Sequence, residues 1–212
     1  MIAHPAAPRR TVKSAASGPE SPHPPTWIKP QLTRLADEAP TGKDWLHEIK
    51  YDGYRMHARI DGDKIQLLTR TGLDWSHRYE GTIEALRSLK VKSAYLDGEL
   101  CALNADGVPV FSRLQAAMDE GRTDQLVFFA FDLLFLNGES TALLPLIGRK
   151  ERLHRLFRKE IPGLRYSEHV VGDGHSLPST SLQTRTGRCH LEASRPTIRS
   201  RRPRGLDQVE VA

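Results

Sequence analysis

The sequence surrounds one lysine with charged residues at fixed spacing, in the run Glu48-x-Lys50-x-Asp52-Gly53-x-Arg55. Residues 45–49 predict a short strand that leads into Lys50, and Met56–Ile60 predicts a second strand after an Asp-Gly turn. A lysine at the end of a buried strand costs desolvation free energy unless it is paired or is used as a neutral amine. The stretch therefore predicts a lysine that is paired or functional, with an exposed hairpin of mixed charge as the alternative.

Hairpins interspersed with short helices would hold that lysine in place. Apolar alternation between turn residues predicts strands, and apolar residues at helical spacing predict helices. The strands are Lys64–Thr69, Ser93–Leu96, Leu100–Leu103, Leu126–Leu136 and Arg165–Val171, and the helices cover 83–90, Phe111–Met118 and Arg149–Phe157. We expect Asp97-Gly98 to interrupt the chain between the second and third of these strands. The order of elements predicts an α+β fold class, with antiparallel sheets and flanking helices.

Composition divides the chain of 212 residues into three parts. Residues 1–26 form a Pro- and Ala-rich tail that we expect to be disordered, and 27–176 form the folded domain. Residues 177–212 form a second tail, rich in Arg, Ser and Pro, that buries too little apolar surface to offset its ordering entropy. The formal charge of +5 is located in the tails, because residues 1–20 sum to +2 and 177–212 sum to +4, which leaves about −1. Basicity is therefore weak evidence for nucleic-acid binding by the domain itself.

Cysteine content and hydropathy narrow the location of the protein. Cys101 and Cys189 are far apart and have no CxxC partner, so neither a disulfide framework nor a zinc site is indicated, and a reducing compartment fits. No apolar run approaches the ~18 residues that a membrane span needs. We expect a cytoplasmic protein with no membrane partner.

The lysine run resembles the nucleotide-accepting motif of the covalent nucleotidyltransferases, the superfamily of ATP-dependent DNA ligases, RNA ligases and mRNA-capping enzymes. Three later stretches resemble further motifs of that family in the same order along the chain: Leu67–Gly72, Tyr95–Leu100 and Phe129–Gly138. The resemblance covers residues 27–174. It implies the covalent nucleotidyltransferase fold, as in the adenylation domain of a DNA ligase.

The resemblance also implies a role for each motif residue. Lys50 is the expected catalytic nucleophile. Two residues are expected to bind the adenine: Glu48 at its amino group and Phe131 stacked on the base. Arg55 and Arg70 are expected to bind phosphate and ribose, and Glu99 to bind the ribose and the metal. Each has a plain structural alternative. Arg70 would otherwise be a surface residue, Asp97-Gly98-Glu99 an ordinary turn, and Phe131 a core residue.

The implied chemistry is attack of the Lys50 amine on the α-phosphate of ATP, which gives a lysine-linked AMP and pyrophosphate. Holding a lysine amine neutral at pH 7 costs about 4.6 kcal/mol, because its ordinary pKa is near 10.4. A bound Mg²⁺ or Mn²⁺ would favour the neutral amine and would neutralise the phosphates. The expected cofactors are therefore ATP and a divalent cation.

Within the superfamily, the motifs are most similar to the ligase domain of the bacterial end-joining DNA ligases, which implies nicked or broken DNA, an end-binding repair factor and a place near the nucleoid. The family's fourth motif, an acid-glycine pair followed by lysine, and its fifth, a lysine-x-lysine strand, would lie beyond Gly174. Neither is present in 175–212, nor is the oligonucleotide-binding domain that follows in the family. We therefore expect an incomplete, impaired domain, and a change of reading frame near Leu177 is one explanation.

Two other functions stay open at this point. A non-catalytic remnant would bind nucleotide or DNA, with the Arg-rich tail contacting phosphates without sequence preference. An RNA ligase or capping-type enzyme would use the same lysine chemistry on another substrate. The oligomeric state cannot be inferred from these residues.

Overall fold

The computed structural model describes residues 21–36, 45–171, 188–193 and 208–211. The strands are β1 (Thr33–Ala36), β2 (Trp45–Lys50), β3 (Tyr54–Asp61), β4 (Lys64–Thr69), β5 (Ser93–Cys101), β6 (Val127–Leu136), β7 (Glu139–Ser140), β8 (Leu164–Tyr166), β9 (His169–Val171), β10 (Arg188–Ala193) and β11 (Gln208–Val211). The helices are α1 (Glu80–Arg87), α2 (Phe111–Asp119) and α3 (Leu146–Leu156), with single 3-10 turns at Ser76–Arg78 and Thr123–Gln125. Among these residues, none of the helices has the length and apolarity to span a membrane.

The strands form two sheets that share no strand. The first sheet has the order β1-β11-β10-β2-β9, and the second has the order β4-β3-β5-β6-β7, with β8 added in parallel to β6. Apart from that pair and the β1-β11 pair, all neighbouring strands are antiparallel. The expected α+β class with antiparallel sheets and flanking helices is confirmed.

The hairpin of β3 and β4 shows how the sequence sets the second sheet. Asp61 pairs with Lys64, so the connecting loop has two residues, and Gly62 within it has a φ of +61° that favours glycine. Alternate residues of β3 then point to opposite faces of the sheet. One face packs Met56 and Ile60 into the main apolar core.

Strand β5 runs through Asp97-Gly98 without the interruption that the sequence predicts. Gly98 allows this because the neighbouring strand approaches it closely. A Cβ atom at Gly98 would lie 2.4 Å from the Phe128 ring and 2.6 Å from the Phe129 carbonyl oxygen of β6. Glycine here therefore permits close strand packing rather than a turn.

Two further predicted elements have different bounds in the structure. The helix expected from Arg149 begins three residues earlier, at Leu146, directly after Pro145, whose fixed φ suits a helix start. The single strand expected over Arg165–Val171 is instead two short strands in different sheets, β8 beside β6 and β9 beside β2.

The structure describes three segments of the predicted tails: residues 21–26, 188–193 and 208–211. Residues 21–26 pack on the second sheet, because Arg59 donates hydrogen bonds to the carbonyl oxygens of Pro24 and Pro25. Strands β10 and β11 lie within 177–212 and join the first sheet beside β2. Apolar and polar residues alternate in both, as in Val209 and Val211, which is the pattern of a strand. The rest of both tails lies outside the described residues, and the domain boundaries stay a prediction.

Candidate active site

Lys50 is the last residue of β2 and lies half-buried where the chain leaves the first sheet for the second. Residues 51–53 lead directly into β3. Only glycine fits at Gly53, because a Cβ atom there would lie 2.3 Å from the Leu100 carbonyl oxygen of β5. This close passage holds Lys50 near the strands that carry the later motifs.

Arg55, Glu99 and Phe129 form a row across three neighbouring strands. Arg55 of β3 pairs with Glu99 of β5, and Glu99 pairs with Phe129 of β6. Directly paired residues project from the same face of a sheet, so their side chains are neighbours. Lys50 is close enough for its positive charge to act on the Glu99 carboxyl. The structure therefore brings together three of the predicted residues: Lys50, Arg55 and Glu99.

The Glu99 carboxyl has an altered protonation equilibrium. Burial raises its pKa to about 8, while the positive charge of Arg55 opposes that rise. Asp97 raises the pKa of Glu99 further, and the charge of Lys50 lowers it. At neutral pH the carboxyl therefore retains a proton, which a cation reaching the site would displace.

Glu99 is also the residue predicted to bind a divalent metal. Within the residues that the structure describes, no group of three or more His, Cys, Asp or Glu side chains could hold a metal ion. Mg²⁺ is usually bound by one or two carboxylates together with substrate phosphates and water. The residues present fit a metal that enters with a nucleotide, since Glu99 supplies one carboxyl group that could bind the cation once its proton is displaced.

Arg55 is fixed by several hydrogen bonds. Its Nε and Nη2 atoms donate to the two carboxylate oxygens of Asp97, at 3.1 and 2.8 Å, and Nη1 donates to the Gln31 carbonyl oxygen at 2.7 Å. Burial opposes the charge of Asp97, but hydrogen bonding to His57 and the charge of Arg55 outweigh it and keep the pKa of Asp97 below its usual range. The guanidinium thus has a set orientation beside Glu99.

Phe131 reaches the site through an irregularity of β6. Asp97 pairs with Asp132 and Gly98 pairs with Ala130, which leaves Phe131 as the extra residue of a β-bulge. Its half-buried ring lies against Arg55, with 5.3 Å between the guanidinium carbon and the ring centroid. The structure thus adds Phe131 to the group around Arg55.

The remaining two predicted residues lie differently. Arg70 is exposed and follows Thr69, the last residue of β4, which pairs with Met56 next to Arg55. It therefore lies at the end of the strand beside the site. Glu48 is buried, and its carboxylate is ion-paired with the fully buried ammonium of Lys150 in α3. Burial raises the pKa of Glu48, and the charge of Lys150 opposes that rise.

Comparison with known proteins now identifies the family. A family model described as ATP dependent DNA ligase domain matches residues 30–176. The chain belongs to the ATP-dependent DNA ligase domain family. It is 39% identical over 176 residues to the multifunctional non-homologous end joining protein LigD of Pseudomonas aeruginosa, covering 82% of this chain and 21% of that protein. It is 29% identical over 164 residues to DNA ligase 2 of Thermofilum pendens, covering 71% and 27%.

Solved structures give the same result for this ligase domain. A mycobacterial DNA ligase D complexed with ATP and MES has a TM-score of 0.65 and 26% identity, covering 85% of this chain and 60% of that chain. The ligase domain of LigD from M. tuberculosis has the same TM-score and identity, covering 84% and 58%. The predicted fold and the predicted similarity to end-joining ligases are confirmed. The chain spans about a fifth of the length of the first curated relative.

In the ligase domain, motif residues have buried partners to which the sequence assigned no role. Lys150 and Arg149 of α3 are both buried, and Arg149 donates to Asp132 at 2.8 and 3.0 Å. A signal was available, because both basic residues lie on the helix face that also buries Leu146 and Leu153. Basic residues within an apolar stripe indicate buried acidic partners. Tyr51 is a third such residue, since its ring stacks on Phe129 with 4.1 Å between centroids.

Proposed function

We propose that this ligase domain transfers AMP from ATP to the Lys50 amine, the first step of DNA joining. The observation that carries the proposal is the convergence of Lys50, Glu99, Arg55 and Phe131 where the two sheets meet. A perturbed carboxyl beside a lysine and an arginine is typical of a functional site. The ATP-bound mycobacterial ligase D, which has the same fold, supports ATP as the nucleotide.

In the proposed step, a bond forms between Lys50 Nζ and the α-phosphorus as the bond to the bridging oxygen breaks. Pyrophosphate leaves with the electron pair, and the attacking nitrogen loses a proton to water. Arg55 and Arg70 bind phosphate and ribose oxygens through their forked donors. Phe131 stacks on the base, and Glu48 accepts from the adenine amino group beside its contact with Lys150. A divalent cation held by Glu99 would neutralise phosphate charge when bound.

The later steps are those of the family reaction, and we propose that this chain performs them poorly, since the fourth and fifth motifs are absent from 175–212. The AMP would pass to a 5′-phosphate at a nick or break in DNA, and a 3′-hydroxyl would then displace it. Membership of the DNA ligase domain family supports DNA as the substrate. The names of the LigD relatives support a role in end joining, where an end-binding repair factor would present the broken DNA.

Incubation with ATP labelled at the α-phosphate, with and without Mg²⁺, tests the first step. We expect covalent label on the intact protein, complete loss in Lys50→Ala, and retention in Lys64→Ala, since Lys64 is an exposed lysine on β4. Label that survives in Lys50→Ala would assign the adduct to another residue. A folded intact protein that takes up no label but binds DNA in a salt-sensitive way would instead support the non-catalytic alternative.

A further inference from the structure

Three polar side chains lie buried behind Arg55 on the polar face of the second sheet. Tyr95 and His57 are 0% exposed, and Asp97 is 4% exposed. Burying such groups is costly unless they contact one another or other polar atoms. Asp97 holds Arg55, but Tyr95 and His57 have no part in the proposed reaction. The burial of these two side chains therefore needs another explanation.

Their contacts form a continuous chain. The Ile28 backbone N–H donates to the Tyr95 hydroxyl oxygen at 3.0 Å, and that oxygen lies 2.7 Å from His57 Nδ1. On its other side, His57 Nε2 lies 3.3 Å from Asp97 Oδ1. The imidazole therefore lies between the Tyr95 hydroxyl and the Asp97 carboxylate, with one of them facing each ring nitrogen.

The chain of contacts closes on itself through the segment that precedes the lysine. Asp97 holds the Arg55 guanidinium through two oxygens, and Arg55 in turn donates to the Gln31 carbonyl oxygen at 2.7 Å. Ile28 and Gln31 belong to the same stretch of chain, residues 21–32, which Arg59 binds through Pro24 and Pro25. The closed circuit therefore runs from Ile28 through Tyr95, His57, Asp97 and Arg55 back to Gln31.

We propose that Tyr95 and His57 are positioning residues that set the Arg55 guanidinium for nucleotide binding, an inference that rests on the proposed function. Asp97 alone could rotate about its side-chain torsions. His57 restrains that rotation, and Tyr95 restrains His57 against the backbone of Ile28. Networks of this kind couple their members, so loss of one contact is transmitted to the next.

The substitution Tyr95→Phe tests this with a matched control. It removes one hydroxyl and keeps the ring packed against Leu68 and Phe135. Tyr79 is an equally buried tyrosine in the main core whose hydroxyl donates to Met118 Sδ at 3.5 Å, away from the circuit. We expect Tyr95→Phe to raise the KM for ATP in lysine adenylation by about fivefold, the size of one net hydrogen bond, with little change in the rate at saturating ATP. Tyr79→Phe should leave both unchanged.

A double-substitution cycle separates positioning from general stability. In an Arg55→Gln background, Tyr95→Phe should have no further effect on KM, because its effect passes through the guanidinium. An effect of Tyr95→Phe that persists in that background, or equal KM changes in Tyr95→Phe and Tyr79→Phe, would overturn the proposal.

Hydrogen exchange of the Arg55 Nε proton, followed by ¹⁵N NMR and assigned by its loss in Arg55→Gln, tests the circuit without ATP. Tyr95→Phe should accelerate this exchange, and Tyr79→Phe should not. Unchanged exchange in Tyr95→Phe would refute positioning even if the lysine adduct forms. If the intact protein forms no adduct, the proposed function fails, and the exchange measurement still decides whether Tyr95 orders Arg55.

Discussion

The two faces of the second sheet come from the same strands but depend on different interactions. One face packs apolar side chains into the main core, including Met56 and Ala58 of β3 and Leu96 and Leu100 of β5. The opposite face carries the residues that alternate with them: Arg55, His57 and Arg59 of β3 and Tyr95, Asp97 and Glu99 of β5. Each polar residue is paired across the strands with another member of its own face.

Residues that are adjacent in sequence therefore have different roles, since one stabilises the core and the next belongs to the site. On the apolar face, each side chain contributes through the surface and volume that it removes from water. On the polar face, each side chain costs free energy when buried and recovers it only through its partner. A substitution on the apolar face should therefore affect folding, whereas one on the polar face should affect both folding and the site.

Leu96 and Asp97 are adjacent residues on opposite faces, so they give the largest contrast. Asp97→Ala leaves the Arg55 guanidinium and His57 without their shared partner and should lower the free energy of unfolding by about 3–5 kcal/mol. It should also abolish lysine adenylation, since Arg55 loses its orientation. Leu96→Ala should cost about 2–5 kcal/mol through the cavity it creates and leave adenylation intact where the protein is folded.

Urea unfolding of both variants measures the loss of stability. Labelling with ATP at the α-phosphate, at urea concentrations below both unfolding midpoints, measures adenylation of the same samples. If Leu96→Ala abolished label while its circular dichroism stayed that of the intact protein, the two faces would not be separable. If Asp97→Ala kept full label, Arg55 would not need its carboxylate partner.

Gly98 is the one place where we expect the apolar face to affect the site. A Cβ atom there would lie 2.4 Å from the Phe128 ring, so Gly98→Ala should push β6 away and disturb the bulge that presents Phe131. We expect a loss of about 3 kcal/mol in stability and a higher KM for ATP. Gly148→Ala in α3 is the control, because its Cβ would meet nothing within 4 Å and alanine favours a helix by up to about 1 kcal/mol. A tolerated Gly98→Ala would show that β6 can move without cost.

Local patterns in the sequence were enough to predict most strands and the lysine motif. The hairpin of β3 and β4 follows from alternation and from Gly62, and the bounds of β4 match the predicted Lys64–Thr69. The pairing of Arg55 with Glu99 follows from motif order, because antiparallel neighbours bring these two motifs to one face, and the short link 51–53 keeps Lys50 near them. These features depend on contacts between residues that are close in sequence, or on the resemblance to a family that implies the fold.

Contacts between distant residues could not be predicted in the same way. Glu48 and Lys150 are 102 residues apart, and the pattern around either one alone does not identify the other as its partner. The continuity of β5 depends on how closely β6 approaches Gly98, which the dipeptide Asp97-Gly98 does not reveal. Likewise, Tyr95 looks like an ordinary strand residue until its hydroxyl is seen between Ile28 and His57.

Glu99 gives the smallest expected effect and the clearest dependence on pH. Its pKa is raised to about 8 from an ordinary value of 4.5, so the folded protein retains a proton that the unfolded chain releases. The free energy of unfolding should therefore fall as pH rises through this range, by about 1–2 kcal/mol between pH 6 and pH 9 once partial exposure is allowed for. Glu99→Gln should remove that decline, whereas Glu84→Gln, at an exposed carboxyl on α1, should preserve it. Urea unfolding in metal-free buffer from pH 6 to pH 9 measures how the free energy of unfolding of each variant depends on pH. Equal pH profiles for Glu99→Gln and the unsubstituted protein would mean that Glu99 is already ionised beside Lys50 at neutral pH.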